Sequence, residues 1–391
     1  MREGETVLTR SRPRVALVHD YWVTLRGGEY VFRGLARLFP DADCYVLVHR
    51  RDVPTEIDSA RWHTSPLQLI PWGARHYRAL LPLYPMAARR LDLRGYDLVI
   101  SSSSGFCHHA RTNGTHLCYC HTPLRYAWSD YADTLAHQRS ALRRTALAFI
   151  LDRVRRADYA AAQRVTHYVA NSSTVQARIA EYYDRPSTIV HPFIDLPRFH
   201  PIKQPDDYLL VVSQLLPYKR VDLAIEACRR LRRRLIIVGD GPERARLQRI
   251  AGPLTTFAGR VSEPELVALY ARCAALLQCG VEDFGLAALE AQACGRPVIA
   301  YGAGGALETV IPGQTGLYFS EQSMDALFDV MRSFDPADFD GAAVRAHAEH
   351  FDETQFRRRL LHVIDDVGSA RETQHRAPAA TVLSPVVVKP M

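Results

Sequence analysis

The chain has 391 residues, 47% hydrophobic and 23% charged, with a formal net charge of +7. That size and balance fit a globular protein of two ordinary domains and exclude a low-complexity or acidic disordered chain. No apolar run approaches the roughly 18 residues of a membrane span, and the first residues, MREGETVLTRSRPR, lack an apolar signal core.

The expected location is therefore the cytoplasm, where the eight cysteines read as reduced thiols. The basic excess is confined to residues 1–195, which hold 26 Arg and no Lys against 18 acids, while the remainder holds 23 basic against 24 acidic residues. Such asymmetry points to an anionic partner: nucleic acid, a membrane surface or a diphosphate-bearing substrate.

Arg14 to His19 is the first predicted strand, rich in Val and Leu. It runs into Arg26-Gly27-Gly28-Glu29 and a helix. A glycine pair at such a junction lets backbone approach a ligand, or it simply connects. Cys44 to Val48 and Leu98 to Ser101 are further strands. Between them, residues 66–90 mix aromatic, aliphatic and Arg side chains. They read either as a packed helical insertion or as a membrane-facing surface.

Leu117 to Tyr119 leads into His121-Thr122-Pro123-Leu124-Arg125-Tyr126-Ala127-Trp128, which puts His and Arg where open α/β sheets bind ligands. Cys118-Tyr119-Cys120-His121 lacks a second ligand pair at zinc spacing, so no metal is expected there. Thr166 to Ala170 is another strand, and Ile189 to Asp195 reads as the last strand of this half.

PRFHPIKQPDD, residues 197–207, is the predicted linker. A second βα series follows, with strands at Tyr208–Ser213, Leu235–Val238, Thr255–Ala258, Ala274–Leu277 and Pro297–Tyr301. Gln214 to Arg220 opens a helix over 221–231. After the fourth strand comes Gly280-Val281-Glu282-Asp283-Phe284-Gly285-Leu286, opening a helix predicted over Gly285–Cys294 that carries Glu290. Two carboxylates eight apart on a helix lie within about 80° of one face and about 12 Å apart. A helix start beside them makes an anion cradle, although a bare Glu-x7-Glu also describes a solvated face. The fold class is therefore α/β: two doubly wound, Rossmann-like halves facing across a cleft. Ala342 to Val367 reads as helical and amphipathic, and the expected division is 1–196 and 197–350, then a helix over 351–368 returning to the first domain and a disordered tail over 369–391.

Taken together, over about residues 14 to 365, these motifs resemble the retaining family 4 glycosyltransferases of the GT-B fold. The resemblance implies that the last helix crosses back to the first domain. It implies that Gly27 and Gly28 line the donor diphosphate and that His121 sits at the transferred sugar. Lys219 is implied to hold the phosphates, with Gln214 and Arg220 beside it. Gly259, Arg260 and Val261 correspond to the turn at the base, Glu282 to the acid at the sugar hydroxyls and Glu290 to the acid at the ribose. Phe284, Gly285 and Leu286 correspond to the amides around sugar and phosphate, while Arg125 and Tyr126 are acceptor-side candidates. One departure stands out: the family commonly has Arg where this chain has Gln214, and an amide cannot neutralise charge.

CYCHTPLRYAW and LPYKRVDLAIEA look most like bacterial mannosyltransferases that use GDP-mannose. The implied reaction is metal-independent and needs no cofactor. The implied acceptor is an oligosaccharide or a polyprenyl-diphosphate-linked saccharide in exopolysaccharide or O-antigen synthesis. The enzyme would sit at the inner face of the plasma membrane, against anionic lipid and with no nucleic-acid partner. Alternatives are a UDP-sugar donor, a sugar-nucleotide epimerase of the same shape, and a non-enzymatic binder of membrane or nucleic acid.

Overall fold

The computed structural model describes residues 13–138 and 140–376. In the first half, seven parallel strands form one sheet: β1 (Val15–Trp22), β2 (Asp43–His49), β3 (Trp62–Thr64), β4 (Leu98–Ser103), β5 (Thr115–Cys120), β6 (His167–Ala170) and β7 (Ser187–Ile189). Their spatial order is β3-β2-β1-β4-β5-β6-β7. The central strands are buried on both faces, which is why they read as continuous apolar runs.

Helices cover the sheet: α1 (Gly27–Leu38), α2 (Tyr84–Arg89), α3 (Tyr131–Ala136), α4 (Ala141–Ala162) and α5 (Ser173–Tyr183). Residues 66–90 form two 3₁₀ stretches and α2, and pack Leu67, Tyr84, Ala87 and Ala88 over the core they share with Leu151 of α4.

The second half repeats the plan. Its strands are β8 (Leu209–Val212), β9 (Leu235–Val238), β10 (Thr255–Gly259), β11 (Ala275–Gln278), β12 (Val298–Tyr301) and β13 (Gly316–Phe319). They lie in the order β10-β9-β8-β11-β12-β13, again all parallel. The helices are α6 (Val221–Leu231), α7 (Arg244–Ile250), α8 (Glu263–Arg272), α9 (Leu286–Ala293), α10 (Ala306–Thr309), α11 (Met324–Ser333) and α12 (Gly341–Glu349). The start of α8 is specified locally, by a capping box between Ser262 and Glu265 with Pro264 in the first turn.

In both sheets the strand order reverses beside the first strand, between β1 and β4 and between β8 and β11. Such switch points open crevices at the strand C-termini, where ligands bind. Helix α13 (Glu353–Arg376) leaves the second half and buries Phe356, Leu360 and Val363 among the side chains of β1, α1 and β5.

Four expectations are corrected. The strand expected over Ile189–Asp195 is Ser187–Ile189, because the chain after it turns to meet the second half through Ile194 N donating to Phe351 O (3.0 Å). The helix expected over Gly285–Cys294 begins at Leu286 and ends at Ala293. The helix expected over Ala342–Val367 is two, divided where Asp352 caps α13 by accepting from Gln355 N (2.7 Å). Helix α13 runs to Arg376, past Ser369 where a disordered tail was expected to start; residues 377–391 lie outside the described residues.

Candidate active site

The loops after β1, β5, β8 and β11 meet in the cleft. Glu282, after β11, pairs with the ammonium of Lys219, after β8. Burial alone would lower the pKa of Lys219, but the Glu282 carboxylate outweighs it and raises it, so the lysine stays a cation. Across the cleft, Gly27 and Gly28 open α1. A Cβ on Gly27 would stand 3.0 Å from Leu286 Cδ1, and one on Gly28 would stand 3.6 Å from both the His121 and the His19 rings. The glycine pair keeps this turn close to α9, where a Cβ on Gly27 would press on Leu286, and leaves room beside the two imidazoles.

His121 follows β5 and is held by Ser102 Oγ, 2.8 Å from its Nε2. The same hydroxyl lies 3.2 Å from His19 Nδ1, which is also 2.9 Å from the Ser102 carbonyl. A carbonyl only accepts, so His19 Nδ1 carries a proton. The Ser102 hydroxyl is then free to donate to His121, whose own proton lies on Nδ1. Burial, helped by the nearby His19, pushes the His121 pKa down to about 3. Burial works the same way on His19, but Glu29, with Oε1 4.0 Å from Nε2, more than offsets it and raises the pKa. The result is a neutral His121 backed by a buried His19–Glu29 pair.

Three cavities follow one another along the cleft. One of about 280 Å³ is lined by Gly27, Gly28, His121, Lys219, Glu282 and the start of α9. The next, about 710 Å³, is lined by Arg26, Arg260, Val261, Tyr270 and Glu290, among others. Glu290 accepts from Tyr270 OH (2.6 Å); burial raises its carboxyl pKa despite that bond. A third, about 400 Å³, lies beyond Arg26 toward residues 74–79. Gly285 precedes α9 with φ +97°, so a glycine is needed there, and Phe284 turns its ring away to stack on His191.

Four sequence-derived candidates stand elsewhere. Gly259 ends β10 with its carbonyl accepting from Gly239 N (2.7 Å), outside the residues that line these cavities. The guanidinium of Arg220 is held by Asp222 (3.2 Å) and the Gln322 carbonyl (3.3 Å), and Arg220 lines none of these cavities. Arg125 pairs with Asp130 (3.2 Å) and Asp283 (3.5 Å) and lies over the Tyr218 ring, so it joins the two halves. Tyr126 packs at the edge of the first domain's core.

Sequence reasoning missed four residues. His19, Glu29 and Ser102 stand behind His121; a histidine closing an apolar strand run was the available signal for His19. Arg26 had none. With the Gln214 amide turned so that its oxygen faces the arginine, it accepts from Arg26 Nε (3.1 Å) and Nη2 (3.0 Å). A cation from the first domain therefore stands beside the neutral side chain at position 214.

Two family models match the chain: Glycosyltransferase Family 4 over residues 25–198 and Glycosyl transferases group 1 over residues 193–334. The chain is 32% identical over 186 residues to a GDP-mannose-dependent alpha-(1-6)-phosphatidylinositol monomannoside mannosyltransferase of Mycolicibacterium smegmatis, covering 42% of this chain and 49% of that protein. It is 40% identical over 143 residues to a glycogen synthase of Mycobacterium tuberculosis, covering 33% of this chain and 34% of that one. The match thus spans half or less of each relative. In fold, the chain is similar to a sucrose-phosphate synthase from Thermosynechococcus elongatus, with TM-score 0.69 at 20% identity over 92% of this chain and 100% of that one.

Proposed function

The chain belongs to the family 4 glycosyltransferases of the GT-B fold, and from that premise we propose that it moves a hexosyl group from a nucleoside-diphosphate sugar onto an acceptor hydroxyl, with retention. GDP-mannose is the proposed donor. The proposed acceptor is a lipid-linked saccharide or polysaccharide, met at the inner membrane face. The observation that carries the reading is the half-buried Lys219–Glu282 pair, set opposite Gly27, Gly28 and His121 and continuous with a cavity that ends on Glu290.

In this reading the diphosphate lies between the glycine turn, Lys219 and the amides at the start of α9. As the C1–O bond breaks, negative charge grows on the leaving phosphate. A fixed cation and backbone donors stabilise that charge more than they stabilise the ground state. With Lys219 and Arg26 both at hand, charge neutralisation needs no divalent ion, so a chelator leaves the rate unchanged. Glu282, held by Lys219, takes sugar hydroxyls rather than the anomeric carbon. The acceptor therefore attacks from the face the diphosphate leaves, and its proton passes to the departing phosphate oxygen. His121, neutral at working pH, orients the sugar by hydrogen bonding and donates no proton. Glu290 takes the ribose hydroxyls.

Lys219→Ala should lower kcat by about 100- to 1,000-fold, the usual cost of one preorganised transition-state donor. Near-normal turnover by that variant or by Glu282→Ala would overturn the assignment. Thermal-shift measurements with GDP, GDP-mannose, UDP-glucose and UDP-N-acetylglucosamine test the donor. Stabilisation by uridine nucleotides alone would remove mannose.

A further inference from the structure

A fourth cavity lies behind the Lys219–Glu282 pair. It is small, about 20 Å³, and shares Val212, Ser213, Lys219, Glu282 and Ala287 with the donor cavity in front of it. Its wall includes Gln278, the last residue of β11. Leu276 of that strand packs into the core beneath α9, and Gln278, two residues on, shares its face. A Cβ on Gly285 would stand 3.2 Å from both Nε2 and Oε1 of Gln278, so the amide lies against the backbone that starts α9.

Gln278 is 7% exposed, and its Nε2 is buried without a hydrogen-bond partner among the described residues. Folded proteins seldom leave a buried amide donor unpaired, because it has given up water and gained nothing. The cavity beside it exceeds the about 10–15 Å³ that one water needs and is too small for a sugar or a phosphate. Glu282, on the same cavity, is held on one side only. Its carbonyl accepts from Gly305 N (2.8 Å) and its Oε2 pairs with Lys219, but among the described residues no group meets Oε1. A carboxylate tied through one oxygen to a flexible lysine turns about its last bond, and gripping a sugar requires that it stay still.

We propose that this cavity holds one ordered water, which accepts from Gln278 Nε2 and donates to the Glu282 carboxylate, and that Gln278 is through this water a positioning residue for the acid at the sugar. Ser213 Oγ, whose hydrogen goes to the Gln214 carbonyl (3.0 Å), offers the water a second acceptor. Each carboxylate oxygen accepts twice, so Glu282 keeps room for sugar hydroxyls. The inference rests on the proposed function and deepens it, because it assigns a residue to the orientation of the donor sugar.

Titration calorimetry with GDP and with GDP-mannose tests it. Gln278→Leu keeps the volume and removes the donor group. It should raise the Kd for GDP-mannose by about tenfold, the size of one lost hydrogen bond, and leave that for GDP within about twofold, because GDP has no sugar for Glu282 to hold. The melting temperature should not fall. Gln278→Asn, which keeps the amide one methylene shorter, should recover part of the GDP-mannose affinity. In a Glu282→Gln background, Gln278→Leu should add little. A high-resolution crystal structure of the unaltered protein should place one water within hydrogen-bond reach of Gln278 Nε2 and the Glu282 carboxylate. Equal weakening of GDP and GDP-mannose by Gln278→Leu would overturn the proposal, as would unchanged binding of both or a dry cavity in that crystal structure. An unaltered chain that binds neither nucleotide would instead bring down the proposed function, and this inference with it.

Discussion

Arg26 and Gln214 come from opposite domains, yet the guanidinium of one lies against the amide of the other. A phosphate oxygen drawn between them would meet a full positive charge from Arg26 and a neutral donor from Gln214. Arg26→Gln should therefore raise the donor KM by about 10- to 100-fold, the size of one lost charge-assisted hydrogen bond. Gln214→Arg alone adds a second guanidinium that the anionic donor neutralises, so it should not raise the donor KM. The double variant Arg26→Gln/Gln214→Arg restores one cation to the pair and should recover most of the affinity. Initial-rate kinetics over donor concentration read this directly; no recovery in the double variant would mean that Arg26 acts elsewhere. Nothing in the sequence pairs two residues 188 positions apart, so only the folded chain reveals the exchange.

Strand β5 carries His116 as its second residue and is followed directly by His121; the first imidazole is buried and the second half-buried. His109, in the 3₁₀ turn Cys107–His109, faces the buried Asp158 carboxylate (3.1 Å). That carboxylate also accepts from Trp128 Nε1 (2.7 Å) and Tyr183 OH (2.8 Å), tying α4 and α5 to the sheet. Burial pushes the pKa of His116 and His121 down to about 3 each and of His109 to about 4. In the unfolded chain the same rings titrate near about 6.5. Below that pH the unfolded state binds protons that the native state refuses, so stability falls as pH falls from about 6.5 toward 4. Each ring contributes up to about 1.4 kcal/mol per pH unit. The melting temperature should drop between pH 6.5 and 5, and His116→Gln should make that slope shallower. A flat profile in that window would contradict the buried neutral rings.

Element by element, most of this fold is legible. Central parallel strands such as β1, β4 and β8 are buried on both faces, so they read as short apolar runs between turns. Strand β3, Trp62-His63-Thr64, escapes because it is short and largely exposed at the sheet edge. Strand β13, Gly316 to Phe319, escapes because four residues carry no period. Helices α12 and α13 read as one because the apolar spacing continues through their junction, and only the Asp352 cap breaks it. The junctions around Gly27, Lys219 and Glu282 were readable because chemistry there sits at strand ends. Support from behind, by Ser102, His19 and Glu29, was not, because those groups come together through the register of β1 with β4.

At the scale of the whole molecule, the two domains are held together by polar contacts beside the site. Asp283, next to Glu282, is bound by Arg178 and Arg125, and its carbonyl accepts from Ser172 Oγ (2.5 Å). Glu308 accepts from Ser173 N (2.9 Å), Ser173 Oγ (2.8 Å) and His191 Nε2 (2.7 Å). Each links the second domain to the first without entering either core, so removing them should leave each domain folded. The Asp283→Asn/Glu308→Gln double variant should thus keep a near-normal melting temperature but open the cleft. Its radius of gyration by X-ray scattering should rise without nucleotide and return toward the unaltered value when donor is added. The donor then supplies the closing energy itself, so its KM should rise by about tenfold, equivalent to about 1.4 kcal/mol. Half-buried ion pairs of this kind are worth that order and little more. Unchanged scattering together with unchanged KM would mean that α13 and the apolar contacts around Phe284 and Phe351 hold the cleft closed on their own.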